Sequence, residues 1–235
     1  MVFAEDGARL REFLTTGRRF ASAEDVDEVL QLILTAAVDT SPGTDLAGVL
    51  LLEGRGRIVS PATTDEVVNE LDQVQAEHNE GPCVESIYDD EMVLVQDFSE
   101  RLDDWPHFAK RALDLDVHGS LSFQLYSEGS RAGSLNLFSR RPHAFGEEDR
   151  ILGALFANQA GLALRGAQRA AQLDRAVASR DVIGTAKGIL MERFGVDDDE
   201  AFQRLVRSSQ ETNIKLVDVA RWLVGEQSGK RTANG

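Results

Sequence analysis

Cysteine is almost missing from this chain: Cys83 stands alone among 235 residues. A single thiol forms neither an internal disulfide nor a cysteine metal cluster, which fits a reducing cytoplasm. Proline is scarce as well, and none follows Pro142, so no proline interrupts a helix in the C-terminal part. No run of eighteen apolar residues occurs, so no membrane-spanning helix is expected. The opening MVFAEDGARLREFL carries early acidic residues and no apolar signal core, so secretion is not expected. His78, His107, His118 and His143 are scattered without metal-ligand spacing, and the GRG and GSRAG segments do not fit phosphate loops. With no Ser-His-Asp, metal or nucleotide constellation, the reading is that the chain is not an enzyme and holds no cofactor.

What is present suits two small soluble domains: 42% hydrophobic and 28% charged residues over 235 positions. The net charge of −15 argues at first against a nucleic-acid partner, but it is unevenly spread. Residues 1–164 carry 13 basic and 30 acidic side chains, a net −17, whereas residues 165–235 carry 12 and 10, a net +2. A phosphate backbone is repelled by the first part and tolerated by the second.

The periodicities predict an α+β first domain. Residues 8–20 and 24–39 read as helices, the second with Val26, Val29, Leu30, Ile33, Leu34 and Ala37 at helical spacing and Ser22 or Asp25 as cap. Leu46–Glu53 and Arg57–Ala62 read as a hairpin around a turn at 54–56. A helix over 65–77, a strand over Met92–Phe98, and a helix over Trp105–Leu115 with Pro106 early follow. Strands Ser120–Tyr126 and Gly133–Ser139, joined by a turn at 127–131, come next.

From Glu147 a helix opens with Glu147, Glu148 and Asp149 in its first turn, which suits its dipole. Nothing stops it before about 194. Leu155, Leu162, Leu173 and Val177 make a roughly heptad stripe, interrupted by Gln159, Gly166 and Arg169, which suggests a stalk pairing with a second copy. Gly195 ends it, and Asp197 with Glu200 forms a capping-box pattern for the next helix. Ala201, Phe202, Leu205, Val206 and Ser209 make that helix's expected inward stripe. ETN at 211–213 precedes a last helix with Leu216, Val219, Ala220, Leu223 and Val224 inward, and residues 229–235 read as a disordered tail.

The segment SRDVIGTAKGILMERFGVDDDEAF followed by LVRSSQETNIKLVDVA closely resembles the ANTAR family. The resemblance rests on Arg180, Ile183, Ala186-Lys187-Gly188, Leu190-Met191, Ala201-Phe202, Leu205, Ser209, Asn213, Lys215-Leu216 and Val219-Ala220. It implies binding of paired RNA hairpins with six-nucleotide loops in transcripts, for antitermination or related control. Val206 departs from the basic residue many members carry after the leucine at 205; Arg207 stands next to it.

The residues support a surface for this role. At 100° per residue Ile183, Ala186, Leu190 and Phe194 face the other two helices, while Arg180, Gly184, Lys187 and Met191 form a neighbouring stripe with Gly188 beside it. Each glycine costs about 1 kcal/mol relative to alanine inside a helix, which makes sense where an RNA loop or another helix approaches the backbone. Lys and Arg neutralise phosphates. Arg207 and Ser208 on the outer side of the second helix, and Asn213 and Lys215 at the start of the third, complete the candidate set.

Residues 24–165 resemble a GAF domain, on Glu80-Gly81-Pro82-Cys83-Val84, the Met92–Phe98 strand, Trp105-Pro106-His107-Phe108, Gly133-Ser134-Leu135-Asn136-Leu137 and Ala144-Phe145. GAF domains sense small ligands, light or redox state, or serve as dimerising scaffolds; Cys83 reads as a small buried hydrophobe. The expected architecture is a GAF-like antiparallel sheet with flanking helices (8–165), a connecting helix over about 147–194, and a three-helix ANTAR-like module (166–228). The expected partners are RNA and a second copy of the chain, with no membrane and with a small-molecule ligand left open. The alternative is a dimeric interaction scaffold whose helical module binds a protein.

Overall fold

A computed structural model describes residues 15–20, 22, 23, 25–53, 57–88, 91–128 and 131–232. The chain divides into two compact units, Met1–Gln168 and Arg169–Gly235.

The first unit is built on a five-stranded antiparallel sheet whose strands lie in the order 57–63, 46–53, 131–139, 119–128, 92–95. Helix α1 (Val26–Thr40) precedes it, with the Asp25 carboxylate accepting from the Glu28 N–H at 2.8 Å. Strand β1 (Leu46–Glu53) is buried along nearly its whole length, as an inner strand with both faces covered should be. It pairs with β2 (Arg57–Thr63) and with β5 (Arg131–Ser139), and β5 pairs with β4 (Gly119–Glu128). The short β3 (Met92–Val95) closes the far edge.

Each face of the sheet is covered. Val49, Leu121, Phe123, Leu135 and Leu137 pack with α1 and with Phe156, Ala160 and Leu164 of the long helix α5 (Glu147–Phe194). Leu50, Val93, Val95 and Phe138 face helices α2 (Glu66–His78), α3 (Pro82–Tyr88) and α4 (Phe108–Asp114). The α5 glycines permit the first contact: a Cβ on Gly161 would overlap the Leu125 backbone carbonyl, and one on Gly153 the Phe123 ring.

The α+β architecture is as the sequence suggests, with local differences. The strand expected to reach Phe98 stops at Val95, because the Asp97 carboxylate accepts from the Ser99 N–H at 2.9 Å and starts a 3₁₀ turn over Phe98–Arg101. The helix expected from Trp105 begins at Phe108, where Glu80 Oε2 accepts from the His107 and Phe108 N–H groups at 3.0 and 3.2 Å. Helix α3 was not anticipated. Strands β4 and β5 run on until Glu128 pairs with Arg131, beyond the expected turn boundaries. The turn at 54–56 and residues 8–14 of the first expected helix lie outside the described residues; 15–20 are helical.

In the second unit the C-terminal part of α5 packs with α6 (Asp198–Thr212) and α7 (Leu216–Thr232). Ala186, Ile189, Leu190, Ala201, Leu205, Val219, Ala220 and Leu223 form its core. Gly195, at φ +65°, ends α5 with its N–H on the Met191 carbonyl, and Asp197 caps α6 through the Glu200 N–H. Three expectations are corrected. Phe194 is exposed, because the core turns toward Ile189, and it lies instead under the Arg204 guanidinium. Phe202, one residue off the Ala201–Leu205 line, is 37% exposed rather than inward. Helix α7 continues to Thr232, into the stretch read as a disordered tail.

Candidate nucleic-acid interface

The α5 stripe meets α6 in one shallow groove. Arg180, Ile183, Gly184 and Lys187 of α5 line it with Phe202 of α6. Lys187 Nζ lies 2.6 Å from Asp198 Oδ2 and 5.9 Å from the centre of the Phe202 ring. The ammonium is therefore held between a carboxylate and an aromatic face. The Asp198 side chain is 64% exposed and that of Lys187 only 20%, so the pair opens to solvent from the Asp198 side. The sequence reading placed Phe202 on the inward stripe and did not single out Asp198. The signal for Phe202 was its offset from the Ala201–Leu205 line.

The glycines have an informative environment. A Cβ on Gly184 or Gly188 would meet nothing within 4 Å. No other helix of the described chain packs closely on them, so their bare backbone is presented outward. Met191 is also exposed on this side of α5.

The remaining candidates do not line this groove. Arg207 and Arg204 both donate to Glu200 Oε1 at 2.9 Å, and the Arg204 guanidinium, with Arg207 beside it, holds that carboxyl below its usual range. Glu200 thus spends its carboxylate on arginines; the reciprocal capping-box bond back to Asp197 is not what its side chain makes. The Ser208 carbonyl accepts from Thr212 Oγ1 at 2.6 Å. Asn213, at φ +53°, caps the end of α6, and the Lys215 carbonyl accepts from the Asp218 and Val219 N–H groups at the start of α7. Trp222, 65% exposed on α7, is a further surface aromatic that the sequence reading passed over.

The first unit holds a different feature: a polar layer inside its core. Ser120 and Ser122 of β4, Ser134 and Asn136 of β5, Asp72 and Gln75 of α2, and Cys83 and Ser86 of α3 are all buried. Gln75 Nε2 donates to Asp72 Oδ1 at 3.2 Å and contacts Cys83 Sγ at 2.8 Å, while its Oε1 accepts from the Cys83 N–H at 3.0 Å. Ser60 Oγ donates to Asp72 Oδ2 at 2.6 Å. Burial pushes the Asp72 carboxyl from 3.8 up to about 7, against the pull of these two hydrogen bonds. Burial, reinforced by Asp72, pushes the Cys83 thiol well above its ordinary value, so it is a poor nucleophile. Among the described residues no group of three His, Cys, Asp or Glu side chains could hold a metal ion.

Comparisons with known proteins follow the same division. Residues 23–165 match the model of the GAF domain, and residues 171–224 that of the ANTAR domain. No curated protein matches the chain. Among solved structures, the chain is similar to the GAF domain of an Acinetobacter phosphoenolpyruvate-protein phosphotransferase (14% identity, TM-score 0.54, covering 69% of this chain and 95% of that one). It is similar to the corresponding domain from Coxiella burnetii (14%, 0.52, covering 69% and 96%). It is also similar to an N-acylhomoserine-lactone-dependent LuxR-family transcription factor from Burkholderia cenocepacia (15%, 0.56, covering 69% and 99%). At these identities the likeness shows the fold alone. ANTAR domains are RNA-binding antiterminator modules, and the GAF domain is a regulatory domain. The chain belongs to the GAF domain family and carries an ANTAR domain behind it, the arrangement of a GAF–ANTAR regulator.

Proposed function

We propose that this chain binds paired RNA hairpins with six-nucleotide loops in transcripts and thereby controls antitermination or a related step. The observation that carries this reading is the groove of Arg180, Gly184, Lys187 and Phe202. Two cations, an open stretch of backbone and an exposed ring are what an RNA loop requires: charge for phosphate, room for close approach, and a face for a splayed base. Gly188 and Met191 extend this face along α5, and Arg207, Ser208, Asn213 and Lys215 form its outlying contacts.

The protein works in the cytoplasm as a homodimer through α5 and the GAF domain, without catalysing a reaction. The GAF domain, with bounds at 8–165, supplies regulation, and the RNA-binding module spans 166–228. A filter-binding titration at fixed salt tests the face. Lys187→Ala weakens RNA binding and lowers the salt slope by about 0.7–0.9, one phosphate contact. Phe202→Ala costs about 1–3 kcal/mol, one stacked base. Unchanged affinity in both variants refutes this face.

A further inference from the structure

Arg204 and Arg207 of α6 converge on a single oxygen. Arg204 Nε and Arg207 Nη2 each lie 2.9 Å from Glu200 Oε1. One carboxylate thus meets two guanidinium groups, and the cluster keeps an excess of positive charge. The Arg204 guanidinium also sits 5.1 Å from the centre of the Phe194 ring. Phe194 is 54% exposed, so that guanidinium leaves much of the ring open. Beside it Gly195 turns the chain at φ +65°, and a Cβ there would meet nothing within 4 Å. Cations, an open ring and bare backbone are the combination found around Lys187, Phe202 and Gly184. The second cluster is a separate one. At about 100° per residue Arg204 stands about 200° around α6 from Phe202, so the two clusters occupy opposite flanks of that helix. The acids that open α6 are divided between them: Asp198 holds Lys187 on one flank and Glu200 the arginines on the other, while Asp197 caps the Glu200 N–H.

We infer that Phe194, Arg204 and Arg207 form a second nucleotide site, which takes an unpaired nucleotide of the bound RNA from outside the hairpin loops. The inference rests on the RNA reading and adds a contact to it. A helix about 10–12 Å across with its side chains stands between the two flanks, so a loop seated in the Lys187 groove does not supply this nucleotide; the unpaired stretch beside a hairpin does. The open part of the Phe194 ring stacks the base, since every base has a π-face. The two guanidinium groups take its phosphate in charge-assisted bonds. Glu200 Oε1 marks the place of a phosphate oxygen, and in the free protein its carboxylate, an acceptor of the same sign, stands in for the phosphate. The Glu200 side chain is 41% exposed, so it turns out to water on binding while its N–H stays on Asp197. An apolar peptide would leave both guanidinium charges unused, which favours a nucleotide as the occupant.

Filter binding with the full chain and a two-hairpin RNA tests the site. The RNA is used intact and with the unpaired nucleotides outside its loops made abasic, their phosphates kept. The wild type should bind the abasic RNA about 5- to 150-fold more weakly, the range of one stacked base. Phe194→Leu should bind both RNAs alike. The double variant Arg204→Gln/Arg207→Gln should lower the salt slope by about 0.7–0.9, one phosphate contact. Glu200→Gln frees the arginines and keeps the Asp197 cap, so it should bind about two- to fivefold tighter at low salt; it carries the test if circular dichroism shows Phe194→Leu unfolded. A wild type indifferent to the abasic change, a double arginine variant with an unchanged slope, or a Glu200→Gln variant that binds no tighter overturns the second site. If Lys187→Ala still weakens binding in that case, the RNA reading stands without it; a wild type that does not bind the two-hairpin RNA ends both.

Discussion

Replacing Asp72 by asparagine should remove a pH dependence that the chain carries in its core. The Asp72 carboxyl is 2% exposed and accepts hydrogen bonds from Ser60 Oγ and Gln75 Nε2. Its pKa rises from 3.8 to about 7 because burial disfavours the charge. The folded state therefore binds this proton more tightly than the unfolded state. The unfolding free energy falls as pH rises from about 4 to about 7, then levels off. Three pKa units at about 1.4 kcal/mol each make the full loss about 4 kcal/mol. Asparagine keeps the shape and stays neutral: its oxygen accepts from Gln75, and its amide donates to Ser60 once that hydroxyl rotates. Asp72→Asn should thus match the wild type below about pH 4, and its advantage should grow through pH 5 to about 4 kcal/mol at pH 8. Urea unfolding followed by fluorescence of Trp105, buried in the same unit, reads this directly. Parallel stability curves for the two proteins between pH 5 and 8 would refute the reasoning.

Other parts of the molecule give further expectations. Gly161→Ala places a Cβ on the Leu125 carbonyl and should destabilise the first unit by about 1–3 kcal/mol in the same urea assay. Asp198→Asn releases Lys187 from its ion pair and should tighten RNA binding about two- to fivefold at low salt, since a pair open to solvent on its Asp198 side is worth on the order of 1 kcal/mol; weaker binding would mean that Lys187 does not meet RNA. Burial works against the Glu80 carboxylate, but the His107 side chain and the N–H groups of Phe108 and His107 more than offset it and hold its pKa below 4.5. Its contribution is present above the usual carboxylate range and lost as pH falls, so Glu80→Gln should flatten the acid limb of stability below about pH 4.5, measured by acid-titrated circular dichroism.

Much of the fold was legible because local signals agree with it. Asp25, Asp65 and Asp197 each cap the helix that follows them, and Gly195 ends α5 in the left-handed conformation that glycine adopts freely. The misses have physical causes. Asp97 redirects a chain whose apolar alternation would otherwise run on, and α3 is too short to show a period. In β4 and β5, Ser120, Ser122, Ser134 and Asn136 alternate with Leu and Phe, the pattern of a strand with one wet face; helices α2, α3 and α4 bury that face, which no local signal announces. The candidate interface was legible as a stripe on α5. Its groove was not, because Phe202 and Asp198 come from another helix and meet Lys187 across the turn at Gly195.

The most direct measurement is a gel-shift titration at one stated salt concentration, comparing an RNA with two six-nucleotide hairpin loops, the same RNA with one hairpin, and duplex DNA. Two linked sites on the proposed homodimer should give the two-hairpin RNA an advantage on the order of a hundredfold over the single hairpin, with duplex DNA weaker still. Equal affinity for all three would contradict RNA-hairpin recognition as the work of this protein.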